Sequence, residues 1–252
     1  MIQKEELKNY AKVAGLKNLG QAEKDYIQNI ILFILYQEYG NTLIFKGGTA
    51  LKKCYGLNRF SEDLDFTCVG KVDTKKLESG LKRFGIEYEI ETKEYENGLK
   101  IILRITGPLY LGVRHSICNF IIDFSFRENV TLKPLIKTVG RFIEELPEFD
   151  VLVMDEREIL AEKVRAIMSR TKARDVYDLW FLLEKGVSFD KELTDKKLEY
   201  YRESWSPGKF EKHLNLKEAI WNSELDPLIP MVPEFKSVKK SILEKLKATR
   251  SQ

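Results

Sequence analysis

Two aspartates two positions apart follow a pair of glycines in the first quarter of the chain. Gly47 and Gly48 end a short apolar segment, and Asp63 and Asp65 stand at the start of the next one. Because side chains alternate along a β-strand, Asp63 and Asp65 are expected on one face. Adjacent carboxylates repel each other unless a cation lies between them, and hard divalent cations prefer oxygen ligands. The spacing therefore predicts a metal site near a glycine turn.

The turn itself has the composition of an anion-binding site. It joins a predicted strand at 41–45 to a predicted helix that Thr49 caps and that runs to about Tyr55. Glycine lets the backbone approach a bulky anion, and the free N–H groups of a first helical turn point toward it. The alternative is a tight turn with a helix cap and two exposed aspartates on an edge strand. The Asp-x-Asp pair on the next strand favours the metal and phosphate interpretation.

A third aspartate, Asp123, lies in the most apolar strand pattern of the chain, at 117–126. One face of this predicted strand consists of Phe120, Ile122, Phe124 and Phe126. Asp123 lies on the other face, where an ionised carboxylate is unfavourable unless it is paired or binds a metal. A backbone N–H or an arginine is the alternative partner. Together with Asp63 and Asp65, Asp123 is interpreted as a third carboxylate of the same site.

Charged residues also flank the apolar stripes of two predicted helices, 158–169 and 174–185. Lys163 stands beside the stripe of the first helix, from which its ammonium can extend to a triphosphate. Asp175 and Asp178 lie near the start of the second helix, on its apolar side. The alternative is structural, with Asp175 as the N-cap and Asp178 at N3, both favourable to the helix dipole.

Composition excludes several classes of protein. The chain has 252 residues, of which 43% are hydrophobic and 32% charged, as in globular domains. Its formal net charge of +3 does not by itself indicate a polyanionic partner. Three cysteines without a CxxC motif and only two histidines argue against a disulfide framework and a zinc site, and favour a reducing compartment. No apolar run approaches the roughly 20 residues of a membrane span, so a cytoplasmic protein without a membrane partner is expected.

The pattern of elements changes near residue 150. N-terminal helices and strands of a mixed sheet are predicted over 1–150, and only helices over 151–252. Beyond the two helices already described, these cover about 190–204, 208–222 and 235–248. The expected fold class is therefore α+β, with a sheet domain followed by a helical C-terminal domain.

The combined motifs resemble a known superfamily. A strand, a Gly-Gly turn and a helix, then Asp-x-Asp on a strand and a third Asp on a later strand, are similar to the polymerase-β-like nucleotidyltransferases. The segments FKGGTALKKCYGLNRFSEDLDF (45–66) and EKVRAIMSRTKARDVYDLWFLL (162–183) resemble the AbiEii/AbiGii toxins of type IV abortive-infection toxin–antitoxin systems. The resemblance covers most of 20–185. It implies a polymerase-β-like mixed sheet flanked by helices and followed by a helical domain.

The resemblance also assigns roles to individual residues. The metal ligands are Asp63 and Asp65, with Asp123 as a third, more variable carboxylate. Asp175 corresponds to a late catalytic aspartate, for which Asp178 is the rival. The implied nucleotide- and phosphate-binding residues are Lys46, Gly47, Gly48, Thr49 and Lys163. With Asp63, Asp65, Asp123 and Asp175, Lys163 is also counted among the catalytic residues.

The implied activity is Mg²⁺-dependent transfer of a nucleoside monophosphate from an NTP, in some members onto tRNA 3′ ends. Expected partners are the NTP, a tRNA or other RNA, and a cognate antitoxin. Two alternatives remain open: a small-molecule nucleotidyltransferase of the aminoglycoside-modifying kind, and a regulator that binds a nucleotide without turnover. Candidate RNA contacts near the C-terminus are Lys236, Lys239, Lys240, Lys245 and Lys247, although a lysine-rich last helix is also ordinary surface.

Overall fold

The structure, a computed structural model, describes residues 1–126, 130–141 and 146–248. The chain divides into two compact units. Unit 1 comprises Met1–Cys54, Phe60–Asn129 and Pro134–Val153. Unit 2 comprises Tyr55–Arg59, Val130–Lys133 and Met154–Gln252. The chain therefore passes from one unit to the other five times.

Unit 1 is built on a mixed sheet. Its described strands are β1 (Leu43–Lys46), β2 (Leu64–Cys68), β3 (Tyr88–Tyr95), β4 (Gly98–Ile105), β5 (Cys118–Ser125), β6 (Leu135–Val139) and β7 (Phe149–Val153). They lie in the order β3-β4-β5-β2-β1-β7-β6. β2 runs parallel to β5 and β1 parallel to β7, whereas the other neighbours are antiparallel. The expected α+β fold class is confirmed.

Four described α-helices belong to unit 1. They are α1 (Lys4–Val13), α2 (Leu19–Tyr39), α3 (Gly47–Tyr55, whose last residue is assigned to unit 2) and α4 (Thr74–Arg83). The side chain of Asn18 accepts a hydrogen bond from the Gln21 N–H and so caps α2. α2 packs against α1, α4 and the strands β5 and β7. It is the helix that covers the apolar face of the sheet.

The core of unit 1 follows from strand alternation. Phe45, Phe66 and Phe124 stand side by side on β1, β2 and β5, with ring centroids 5.3 and 5.5 Å apart. Tyr36 of α2 lies against them, 6.4 Å from the Phe66 ring. Because successive side chains along a strand point to opposite faces, the residues next to each phenylalanine in its own strand are directed to the other face of the sheet. Asp65 and Asp123 are among them.

Unit 2 is helical where the structure describes it, apart from short connections. Its helices are α5 (Glu156–Ser169), α6 (Ala173–Glu184), α7 (Lys191–Glu199), α8 (Pro207–Asn215), α9 (Trp221–Leu225) and α10 (Phe235–Ala248). α5 packs against α6, α7 and α8, and α6 packs against α9 and α10. In residues 1–126, 130–141 and 146–248, no helix has both the length and the hydropathy needed to cross a membrane.

Three regions of the chain differ from the expectation. The strands β6 and β7 occupy a segment where none was predicted, because each has only five residues and prolines interrupt the pattern around them. The helix expected to reach residue 204 ends at Glu199. The helix expected over 208–222 is divided into α8 and α9, with a 3₁₀ turn at Glu218–Ile220 between them.

Candidate active site

Gly47 joins β1 directly to α3 in a conformation that requires glycine. Its φ is +76°, in the left-handed region that residues with a Cβ rarely adopt. A Cβ at this position would collide with Oδ2 of Asp65 and lie 3.0 Å from its carboxyl carbon. The bare backbone of the turn therefore leaves the space that the Asp65 carboxylate occupies. The turn and the carboxylate form one compact site.

Thr49 does not cap α3 as the sequence suggested. The helix begins at Gly47, so Thr49 lies within its first turn and is fully buried. Its hydroxyl donates a 2.5 Å hydrogen bond to the backbone carbonyl of Asp63. This bond holds the start of α3 against the residue that precedes β2. The hydroxyl is thus already donated, so the phosphate contact predicted at Thr49 would use its main-chain N–H.

The Thr49 hydroxyl is expected to be needed for activity. Thr49→Val keeps the shape of the side chain but removes the donor to Asp63, so the carboxylates lose a fixed position relative to the turn. We expect a fall in kcat of about tenfold or more, because small misplacements of reacting groups are costly. Thr49→Ser retains the hydroxyl and should keep most of the activity.

A matched control for this substitution is Thr67 on β2. Thr67 is also buried, but within the described residues its hydroxyl has no hydrogen-bond partner. Thr67→Val should therefore be neutral or stabilising, because no hydrogen bond is lost. Steady-state kinetics and urea unfolding on the three variants provide the measurement. Equal loss of activity in Thr49→Val and Thr67→Val would contradict a specific role for the Thr49 hydroxyl.

The strand register sets four charged residues in a row across the sheet. Lys46 pairs with Asp65, Asp65 with Asp123, and Asp123 with Lys100. Lys46 is buried at 9% exposure, whereas the Asp123 side chain is 43% exposed. The Lys100 ammonium lies 3.7 Å from Oδ2 of Asp123. Each carboxylate of the row thus has a lysine on its outer side in the strand register.

The oxygen donors at Asp63 and Asp65 suit a hard divalent cation. Both residues are half-buried, and Asp65 lies over Gly47. Within the described residues, no group of three or more His, Cys, Asp or Glu side chains is arranged to hold a metal ion. A cation bound here would complete its shell with phosphate and water oxygens, as Mg²⁺ does at nucleotide sites. Asp123 as a further ligand remains a prediction.

The late candidate residues come together inside unit 2. The Lys163 ammonium donates to Oδ1 of Asp175 at 2.9 Å and lies 2.6 Å from Oδ2 of Asp178. Arg170 binds the Asp175 carboxylate with two N–H groups, at 2.8 and 2.9 Å. Arg59 binds Asp178 in the same way, at 2.6 and 2.7 Å. We call these five residues the buried charge cluster.

The cluster rules out the helix-cap interpretation of Asp175. α6 begins at Ala173 after Lys172, so Asp175 is the third helical residue and its carboxylate is bound by Lys163 and Arg170. Burial by itself raises the pKa of Asp175, but Lys163 and Arg170 hold it well below its usual range. Both Asp175 and Asp178 are fully buried. They are therefore ionised and paired at neutral pH.

Two residues of these sites were not identified from sequence. Arg59 lies 119 positions from its partner Asp178, and no local pattern relates the two. Lys100 could have been placed by pattern analysis, because exposure alternates along β4 and Lys100 lies on its more exposed face together with Arg104. What the sequence lacked was the register that sets Lys100 opposite Asp123.

The lysines near the C-terminus are largely matched by acidic side chains. Lys239 lies 3.3 Å from Glu211, Lys245 3.3 Å from Glu184, and Lys240 4.0 Å from Glu244. A groove of about 530 Å³ beside α10 is lined by lysines and glutamates together. These pairs reduce the positive field that an RNA backbone would meet, so α10 gives no specific support for an RNA contact.

Comparison with known proteins relates the whole arrangement to one family. Residues 31–247 match the family model described as Nucleotidyl transferase AbiEii toxin, Type IV TA system. The solved structure of MenT4, a nucleotidyltransferase toxin from Mycobacterium tuberculosis, is similar at a TM-score of 0.68 and 20% identity, over 98% of this chain and 90% of MenT4. JHP933 from Helicobacter pylori is similar at 0.61 and 20% identity, over 99% of this chain and 94% of that one. No match was found among curated proteins.

Proposed function

Because the chain belongs to the AbiEii family of nucleotidyltransferase toxins, we propose that it transfers a nucleoside monophosphate from an NTP to a tRNA or other RNA and releases pyrophosphate. The observation that supports this most directly is the position of the Asp65 carboxylate over Gly47. It sets a candidate cation ligand against a candidate phosphate-binding turn, which is the combination that nucleotidyl transfer needs.

In this proposal the residues of unit 1 bind and orient the nucleotide. The main-chain N–H groups at Gly47, Gly48 and Thr49 face the phosphates at the start of α3, where the helix dipole also favours negative charge. Lys46, in register with Asp65, adds a positive charge beside the turn. Asp63 and Asp65 would hold Mg²⁺, with Asp123 completing the set.

The reaction is a displacement at phosphorus. The acceptor hydroxyl oxygen forms a bond to the α-phosphorus, the bond from that phosphorus to the β-phosphate oxygen breaks, and pyrophosphate leaves. Where Asp123, which is 43% exposed and stands beside Asp65, is not a cation ligand, it is the alternative acceptor of the hydroxyl proton. When bound, Mg²⁺ neutralises phosphate charge and stabilises the in-line displacement.

The proposal keeps Lys163 as a triphosphate ligand and Asp175 as the late aspartate. Lys163 is bound by both Asp175 and Asp178 in the buried charge cluster. Contact with a triphosphate would therefore require the ammonium to exchange one of these carboxylates for a phosphate oxygen. Each carboxylate would keep a second cation after this exchange, Arg170 at Asp175 and Arg59 at Asp178.

We further propose that the sheet unit, predicted as residues 1–150, is the nucleotidyltransferase domain and that the helical unit, predicted as residues 151–252, is a second domain; β7 extends the sheet to Val153. As members of a type IV system, such proteins are expected to work with a cognate antitoxin, and Mg²⁺ with an NTP supplies the activated nucleotide. The cysteines Cys54, Cys68 and Cys118 are all free thiols, which suits a cytoplasmic location.

Incubation with radiolabelled NTPs and total tRNA, with and without Mg²⁺, tests the proposal. We expect label in tRNA only when the cation is present. Label on a small aminoglycoside-like acceptor instead of RNA would identify the small-molecule alternative. Retention of labelled nucleotide on the protein without transfer to any acceptor would identify a nucleotide-binding regulator. Either outcome contradicts the RNA assignment.

A further inference from the structure

The hairpin of β3 and β4 and the neighbouring strand β5 together carry an aromatic ring, an ammonium and a carboxylate next to one another across the sheet. Tyr95 at its tip is 55% exposed. The Lys100 ammonium lies 5.9 Å from the centroid of the Tyr95 ring and 3.7 Å from Oδ2 of Asp123. Since Asp123 is in register with Asp65, these groups lead from the tip of the hairpin to the candidate cation ligands.

The three groups match the parts of a polynucleotide. Exposed aromatic rings stack nucleic-acid bases irrespective of their sequence. An ammonium attracts a phosphate. The Lys100 ammonium lies 3.7 Å from Asp123, which is beyond hydrogen-bond distance, so the Lys100 N–H groups can donate to a phosphate oxygen. The carboxylates Asp123 and Asp65 stand where the acceptor hydroxyl has to react. Base, phosphate and reacting hydroxyl follow one another in the same order along a strand.

We propose that Tyr95, Lys100 and Asp123 form an acceptor platform for the 3′-terminal two nucleotides of a single-stranded RNA. The terminal hydroxyl lies at Asp65 and Asp123, the phosphate between the last two nucleotides at Lys100, and the second-last base on Tyr95. This inference rests on the proposed function and adds the part of unit 1 that recognises the acceptor. It requires an acceptor with at least one internucleotide phosphate.

The neighbours of Tyr95 leave its ring open to such a base. The residue directly opposite Tyr95 on β4 is Gly98, which has no side chain to cover the ring, and the Lys100 ammonium approaches to 5.9 Å from the ring centroid. A Cβ at Gly98 would lie 3.1 Å from the carbonyl oxygen of Phe124, which explains a glycine there by close backbone approach. If the Tyr95 ring only covered Gly98, the Lys100 ammonium would not have to lie between that ring and Asp123.

Binding of a fluorescein-labelled, eight-nucleotide single-stranded RNA in the presence of Mg²⁺ tests the platform. By fluorescence anisotropy, we expect Tyr95→Ala to raise the Kd about five- to hundredfold, and Tyr95→Trp to retain binding. Lys100→Ala should reduce the slope of log Kd against log salt concentration by about 0.7, the value for one phosphate contact on a single strand.

Two matched substitutions serve as controls. Tyr110→Ala removes another partly exposed tyrosine, which follows β4 at its opposite end, and Lys75→Ala removes an exposed lysine of α4. Both should bind the RNA as the unsubstituted protein does. The proposal is overturned if the unsubstituted protein does not bind the RNA, if Tyr95→Ala binds it normally, or if Tyr110→Ala weakens RNA binding as much as Tyr95→Ala does.

A kinetic measurement separates this inference from the proposed function. Tyr95→Ala should raise the KM for the RNA acceptor and leave the KM for the NTP unchanged. A raised KM for the NTP would mean that Tyr95 stacks the incoming nucleotide, which overturns the platform but not nucleotidyl transfer. Tyr95-dependent RNA binding by a protein that transfers no nucleotide would instead sustain the platform and refute the proposed function.

Discussion

Replacing Asp65 with asparagine is expected to reduce nucleotide transfer by about three orders of magnitude. The substitution keeps the size of the side chain over Gly47 but removes the charge that a divalent cation requires, and electrostatic stabilisation of the transition state is usually the largest catalytic contribution. Asp65 also has Asp123 beside it on β5, so loss of one negative charge should change the free energy of unfolding by no more than about 1 kcal/mol.

The neighbouring Glu62 supplies the control for this substitution. Its carboxylate is 44% exposed and binds Lys24 at 2.9 Å, away from the row of charges on the sheet. Glu62→Gln should retain turnover. In a thermal unfolding assay, Mg²⁺ with an NTP should raise the Tm of the unsubstituted protein and of Glu62→Gln, but not that of Asp65→Asn. Unchanged turnover in Asp65→Asn would remove Asp65 from the metal site.

Asp178→Asn is expected to destabilise the protein by about 3–5 kcal/mol at neutral pH. The side chain is fully buried and binds both Arg59 and Lys163. Removing one member of a buried ion pair leaves a cation without compensation, which is the costly case. Urea unfolding measures the loss. Glu244→Gln, which removes an exposed i,i+4 partner of Lys240, should change stability by no more than about 0.5 kcal/mol.

The free energies of unfolding of the unsubstituted protein and of Asp178→Asn should differ by an amount that depends on pH in a definite direction. Burial raises the pKa of Asp178, but Arg59 and Lys163 outweigh burial and lower it below the ordinary value of 3.8. A carboxylate with a lowered folded pKa adds stability above its unfolded pKa, and this is lost as pH falls through the folded value. The stability difference between the two proteins should therefore be full at pH 7 and shrink below about pH 3.8. A difference that grew on acidification would contradict this assignment.

The chemistry of the site was easier to predict than its geometry. Alternation within 117–126 separated Asp123 from the phenylalanines, and Asp-x-Asp indicated a shared face, because both depend only on local strand periodicity. That β2 lies beside β5 in the register Asp65–Asp123 depends on long-range pairing, which no local pattern contains. The family resemblance supplied only the expectation that Asp123 is a third carboxylate of the site of Asp63 and Asp65.

The buried charge cluster shows the same limit. The inward position of Asp175 and Asp178 follows from the apolar side of α6, and the helix-cap alternative arose because both lie in its first two turns. Their true partners include Arg59, which belongs to a different part of the chain. Thr49 was likewise predicted as a cap from its residue type, although its acceptor is the carbonyl of Asp63.

The repeated passage of the chain between its units has a consequence for genetic recombination. Tyr55–Arg59 and Val130–Lys133 belong to unit 2 but are encoded within the region of unit 1. Arg59 there binds Asp178, and the N–H groups of Thr131 and Leu132 bind the carboxylate of Glu158. A single genetic crossover near residue 153 would separate each from its partner. The helical unit is thus not a portable module, and a working chimaera would have to exchange three segments at once.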